Sequence, residues 1–340
     1  MLNHLSPMHT LSKLIFLASL LFISTDSFSQ TTSRIDSLMS RASDLRTMSM
    51  HAEAIAIYNQ LTIPTARVEK AFTLIEMGQV AYALSEAKQM LAQDDFPLHD
   101  DALLVLARCR EIQGHTSAAR RAYRRLATHE HAEGLYYYAV YKYKRHKYAD
   151  AEKLLIRSIS SDKTLPASHR LLSAVEVELG HRYRAILPLY YYLLIASDSD
   201  REKNIMQLRT LWRKQIQYID LFQKPNQDSD SPYNVAMDKY IASISSDSIA
   251  HLERVNLIRS ITSLTEKLFA EILVSSADNL DFWQVAYADI FVDIHSRGYT
   301  SSLINFYFAP TYNADVLLFL ADNGLVFNDF RLWIESRLQH

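Results

Sequence analysis

Alanine recurs at positions 54, 83, 119, 151 and 185, at intervals of 29, 36, 32 and 34 residues, each time inside a segment with helical apolar spacing. A second set of small residues, Ala42, Ala71, Ala107, Ala139 and Ser173, runs ahead of the first. Small side chains at such places let two helices approach closely, while bulkier neighbours fill the space between successive pairs. One pair alone cannot bury its apolar face, so several must stack into a continuous core. Pro64, Pro97 and Pro166 mark the starts of first helices, where a missing N–H costs least. The expectation is an all-α chain of five helix pairs.

The clearest unit is DDALLVLARCREIQGHTSAARRAYRRL, residues 100–126. Leu103, Leu106, Ala107 and Arg110 mark one helical face, Gly114 ends that helix in a turn, and Ala119, Tyr123 and Leu126 mark the second helix. Residues 35–61, 66–91, 135–158 and 168–193 fall into the same register, with Gly78 and Gly180 at the turn and His146 where a glycine would stand. This pattern resembles the tetratricopeptide repeat (TPR). The resemblance implies a helix-pair solenoid, or superhelix, whose concave groove is lined by first helices. The groove positions would be Asp101, Leu104, Arg108, Tyr136, Val140, Tyr143, Arg170 and Ala174. The Lys/Asn pattern of the family's peptide-carboxylate clamp is absent from them, so only a general peptide or protein groove carries over.

LYYYAVYKYKRHKY, residues 135–148, holds six tyrosines and four Lys/Arg, a mixture that could stack bases and hold phosphates. Consecutive helical residues point 100° apart, so Tyr136, Tyr137 and Tyr138 cannot share one groove. They read instead as packing between repeats, and no nucleic acid is expected. PLYYYLL at 188–194 reads as the second helix of the fifth pair, with Pro188 kinking it.

The six glycines exclude several chemistries, because the closest two, Gly114 and Gly134, are twenty residues apart. Phosphate-cradling loops, dinucleotide turns and nucleophile elbows need glycines within a few residues. Lys13 ahead of the apolar run Leu14 to Ile23, followed by Ser27 and Ser29, reads as an export signal over residues 1–29. That run is too short for a bilayer core of about 30 Å. Cys109 is the only cysteine, so no internal disulfide can form and the core must hold by packing. We expect the thiol to be buried.

The predicted domains are the signal at 1–29, repeats plus a capping helix at 34–222, a polar linker at 223–232 and an all-helical extension at 233–340. In the extension, helices are expected at 233–245, 248–275, 281–297, 300–308, 313–323 and 328–338, with stops at Gly298 and Gly324 and N-caps at Asn313 and Asn328. Residues 108–214 carry a net charge of +10 and residues 231–340 a net charge of −6. On the second helix of the third pair, Arg120, Arg121, Arg124 and Arg125 form two like-charge i, i+4 pairs, each costing about 0.2–0.5 kcal/mol in isolation. An acidic partner, or the acidic end of this chain, would offset them.

None of the thirteen histidines has metal-ligand spacing, and His115, His146 and His181 read as exposed turn residues, so no metal or cofactor is expected. Asp289 and Asp293 share a helix face near His295, which suggests a hydrolase-type site in the extension fed by the repeats. The leading expectation is a different one. It is a non-catalytic scaffold of the bacterial envelope, periplasmic or associated with the outer membrane, that binds an acidic protein or peptide through Arg108, Tyr136, Tyr143 and Arg170 or through the Arg120 to Arg125 cluster. Self-association, with the basic middle of one copy on the acidic end of another, is a third reading.

Overall fold

The computed structural model describes residues 33–181, 184–222, 257–275 and 281–338. The expected signal, the linker at 223–232 and the helix expected at 233–245 lie outside these residues. The described chain is all-α, with no strand. The helices are α1 (33–47), α2 (His51–Tyr58), α3 (Pro64–Glu76), α4 (Val80–Leu91), α5 (His99–Ile112), α6 (Thr116–Thr128), α7 (Ala132–Tyr143), α8 (Tyr148–Ser161), α9 (Pro166–Glu178), α10 (Ile186–Ile195), α11 (Asp198–Phe222), α12 (Leu257–Ser275), α13 (Asp289–Ser296), α14 (Thr300–Phe308) and α15 (Ala314–Leu338). Two compact units divide between Leu126 and Ala127.

One frame governs the first ten helices. Ser49, Gly78, Gly114, His146 and Gly180 all adopt left-handed backbone, with φ of 61°, 75°, 78°, 55° and 81°. Seven residues before each turn stands Ala42, Ala71, Ala107, Ala139 or Ser173, and five after it Ala54, Ala83, Ala119, Ala151 or Ala185. All nine alanines are fully buried and Ser173 is 6% exposed. Contact at this level is direct, since the Ser173 hydroxyl donates to the Ala185 carbonyl at 2.7 Å.

The turns share hydrogen bonds as well. At Gly78, its N–H donates to the Ile75 carbonyl at 2.9 Å and the Gln79 N–H to Leu74 at 2.8 Å, closing the end of α3 with its own backbone. The same pair of bonds recurs around Ser49, Gly114 and His146. Histidine tolerates left-handed backbone better than most residues, which is how His146 replaces glycine.

In the first unit, α2 packs on α3, α3 on α4 and α4 on α5. Met90, Val105, Cys109 and Ala87 lie in its core, all fully buried. The Tyr123 hydroxyl of α6 donates to Glu111 of α5 at 2.7 Å.

In the second unit, α7 packs on α8, α8 on α9, and α9 on α10. The first tyrosine run is interior in part: Tyr138 and Tyr141 are buried, while Tyr136, Tyr137, Tyr143 and Tyr148 are half-buried. Its cations are engaged locally. Lys142 pairs with Asp150 at 2.6 Å, and Arg145 lies 3.6 Å from the centroid of the Tyr141 ring.

PLYYYLL is the centre of the second unit, and every residue from Ile186 to Leu194 is buried. Pro188 does not kink α10. It is the third residue of the helix, in the first turn, where the missing N–H has no intrahelical partner to lose. Around it close α11, α12 and α14. The Tyr190 hydroxyl meets Thr265 at 2.5 Å and accepts from the Trp212 indole at 3.1 Å, while the Tyr307 hydroxyl donates to the Tyr190 carbonyl at 2.7 Å. Phe269 and Phe291 pack on the Tyr190 ring at 5.9 and 5.8 Å.

The C-terminal part keeps the turn and loses the small residues. Gly298 has φ 72°, its N–H donates to His295 and that of Tyr299 to Ile294, and α14 begins two residues after it, as at the turns of Ser49, Gly78, Gly114 and His146. The residues seven before and five after are Phe291 and Leu303, both fully buried. Bulk at both places sets this pair apart from the first five. Asn313 caps α15 by accepting the Asp315 N–H at 2.8 Å. The break expected at Gly324 falls at Asn323, whose backbone is non-helical (φ −125°, ψ 20°) and divides α15 into two segments across a kink; the second segment is already helical at Asn328, so the N-cap expected there is a correction.

His169 of α9 ties the fifth pair to the π-helical turn Gln284–Ala288. It is fully buried, 2.8 Å from the Tyr287 hydroxyl at Nδ1 and 2.8 Å from the Lys163 carbonyl at Nε2. The carbonyl can only accept, so Nε2 carries the proton and Nδ1 accepts from Tyr287. Burial holds the imidazole neutral, lowering its pKa from 6.5 to about 4.

Two predictions follow from this packing. Ala151→Leu should destabilise the chain by about 1–3 kcal/mol through overpacking. Ala149→Leu, exposed on the same helix, should leave the urea midpoint nearly unchanged. For His169, the unfolded imidazole takes up a proton as pH falls below about 6.5 and the native one only near 4. Its contribution is therefore intact above 6.5 and lost between 6.5 and 4, by at most about 3 kcal/mol. Urea unfolding at pH 7.5 and 4.5 should show a larger acid loss in the native sequence than in His169→Phe.

Candidate functional site

Within the second unit a cleft of about 370 Å³ opens between the end of α7, one face of α9, and α11. Arg170, Ala174 and Val177 of α9 fall at i, i+4 and i+7 and form one stripe. On α11, Lys203, Met206, Gln207 and Thr210 form the facing stripe. Leu189 of α10 and Leu211 of α11 make an apolar floor. Other faces of α9 are taken up by packing, with Leu172 and Val175 fully buried, which leaves this stripe for the opening.

The rim is charged and the interior apolar. Arg170, Lys203 and Glu178 are exposed, giving two cations against one carboxylate, and Met206 is 48% exposed at the mouth. Tyr143 closes one end; burial first, then the nearby Glu178 charge, pushes its hydroxyl pKa up. A volume of this size suits a few side chains of a bound segment, and the mixture of apolar floor and sparse charge is typical of binding sites.

The sequence register placed Tyr143, Arg170 and Ala174 on the groove side, and the structure brings these three together on the cleft wall. Tyr136 lies outside it, half-buried with its ring 4.9 Å from Tyr137. Leu104 is a correction: it is fully buried in the core of the first unit and lines no groove. Arg108 is half-buried on α5. Arg120, Arg121, Arg124 and Arg125 are exposed on α6, with Arg125 3.3 Å from His99 Nε2. The α11 half of the cleft was missed because α11 lies after the last repeat and no register reaches it. Its signal was Lys203, Met206 and Thr210 at helical spacing.

Asp289 and Asp293 of the extension each have a partner nearby. Asp289 accepts from the Gln284 amide at 2.7 Å, and Asp293 pairs with Arg337 at 3.7 Å. A denser titratable cluster joins Glu152 of α8, Glu176 of α9 and His181 beyond the Gly180 turn, each offering a ligand atom within 4.8 Å of the others. Glu176 is fully buried. Burial pushes its pKa up to about 7, and its hydrogen bond in turn raises that of His181, whose Nδ1 is 3.1 Å away. His181 is thus half-buried, whereas His115 and His146 are exposed as expected.

No protein-family model and no curated protein matches the chain. Among the described residues, no helix is long and apolar enough to cross a membrane.

Cys109 is fully buried and burial pushes its thiol pKa up to about 11. A thiol so placed is a poor nucleophile. Its modification by a soluble disulfide reagent should therefore be slow in the native protein and should accelerate in step with global unfolding in urea.

Proposed function

We propose that this chain is an exported, non-catalytic interaction scaffold of the bacterial cell envelope, built from tetratricopeptide-type repeats, that takes an acidic peptide segment of a partner protein in the α7/α9/α11 cleft. The observation that carries this reading is the cleft's construction: an apolar floor of Leu189 and Leu211, with Arg170 and Lys203 on opposite walls. An apolar anchor on the partner would fill the floor while a flanking carboxylate meets the cations. Such charge complementarity mainly sets encounter rate and register. Export is supported by Lys13 and the apolar run from Leu14 to Ile23.

The test is a site-specific photo-crosslinker in intact cells, placed at Met206 in the cleft and, in a second strain, at exposed Arg121. Met206 should yield a discrete protein adduct absent from the Arg121 strain. Combining it with Arg170→Glu should reduce that adduct at least tenfold. Identical products from both positions, or an adduct indifferent to Arg170→Glu, would overturn the reading.

A further inference from the structure

Away from the cleft, three elements converge on one small volume. Glu152 projects from α8, Glu176 from α9, and His181 follows the left-handed Gly180 turn that ends α9. The three are not neighbours in sequence, and it is the frame of the repeats that brings them together.

Glu176 is the unusual member. Its side chain is 0% exposed, its Oε2 faces His181 Nδ1 at 3.1 Å, and its Oε1 is buried with no hydrogen-bond partner. An unsatisfied carboxylate oxygen withdrawn from water is costly, and packing alone gives no reason to place one there. Arg184 approaches Glu152 at 3.7 Å, an ion pair beyond hydrogen-bonding distance, and also lies 5.3 Å from the centroid of the Trp283 ring.

We propose that Glu152, Glu176 and His181 form a binding site for one divalent transition-metal ion of the zinc class. Two carboxylate oxygens and one imidazole nitrogen suit such an ion better than calcium or magnesium, which prefer an all-oxygen shell. Ligand bonds of about 2.0–2.2 Å require the donor atoms to close to roughly 3.3–3.6 Å from one another. The donor atoms lie within 4.8 Å of one another, so the closure required is at most about 1.5 Å. Three protein ligands leave a coordination position to solvent. The ion would clamp α8, α9 and the turn leading to α10, and it would satisfy the orphaned Glu176 oxygen.

The probe is metal alone, added to the purified full chain after stripping with a chelator. Titration with Co²⁺ should give visible d–d absorption saturating at one equivalent, displaced by Zn²⁺, and Zn²⁺ should raise the urea midpoint. Glu152→Gln and His181→Gln, both at half-buried positions, should keep the native far-UV spectrum and lose the absorption band, with affinity reduced at least tenfold. Three results would each overturn the proposal: no saturable binding, binding unchanged in both variants and so owed to other histidines, or a preference for Mg²⁺ or Ca²⁺ over Zn²⁺.

Discussion

The structure depends on how closely two helices can approach when the residue at their contact has almost no side chain. Ten such positions stand in a fixed frame around five left-handed turns, seven residues before and five after each. At that distance a backbone carbonyl of one helix falls within reach of a hydroxyl of the other, as Ser173 and Ala185 demonstrate. Everything larger is displaced outward, where it meets the neighbouring pair. The interior tyrosines and the cleft follow from this division between small contacts within a pair and bulky contacts around it.

α10 shows what happens when a repeat helix must be covered on every side. The other second helices leave a solvent face, and their sequences alternate accordingly. Residues 186–194 carry no charge, and all are buried beneath α9, α11, α12 and α14. The Tyr190 hydroxyl is satisfied by Thr265 and Trp212 and the Tyr192 hydroxyl accepts from Asn204, so these two phenols are interior without stranded polar groups. The aromatic density of α10 is a hub for packing.

The repeat frame was legible in the sequence because small residues and left-handed turns have few substitutes. Gly78, Gly114 and Gly180 announce themselves, and His146 could be placed by register. Ser49 could not, because serine does not mark a left-handed residue, and only the backbone reveals the first turn. Counting along the frame put Tyr143, Arg170 and Ala174 on one side, and all three line the same cleft. Leu104 was misplaced by the same counting, because α5 buries that face as well. The α11 wall and the Glu152, Glu176 and His181 cluster depend on contacts between elements, which spacing along one helix does not encode. Gly324 marked the break at Asn323, but not that the second segment of α15 resumes ahead of Asn328.

The central claim is that the small residues lie sealed between paired helices, and hydrogen exchange of the full chain, resolved to short peptides, tests it most directly. The account predicts five protected blocks interrupted at Ser49, Gly78, Gly114, His146 and Gly180, with the amides of α10 among the slowest of all to exchange. Rapid exchange across the segments holding Ala119, Ala151 and Ala185, at the rate of the turns beside them, would contradict it.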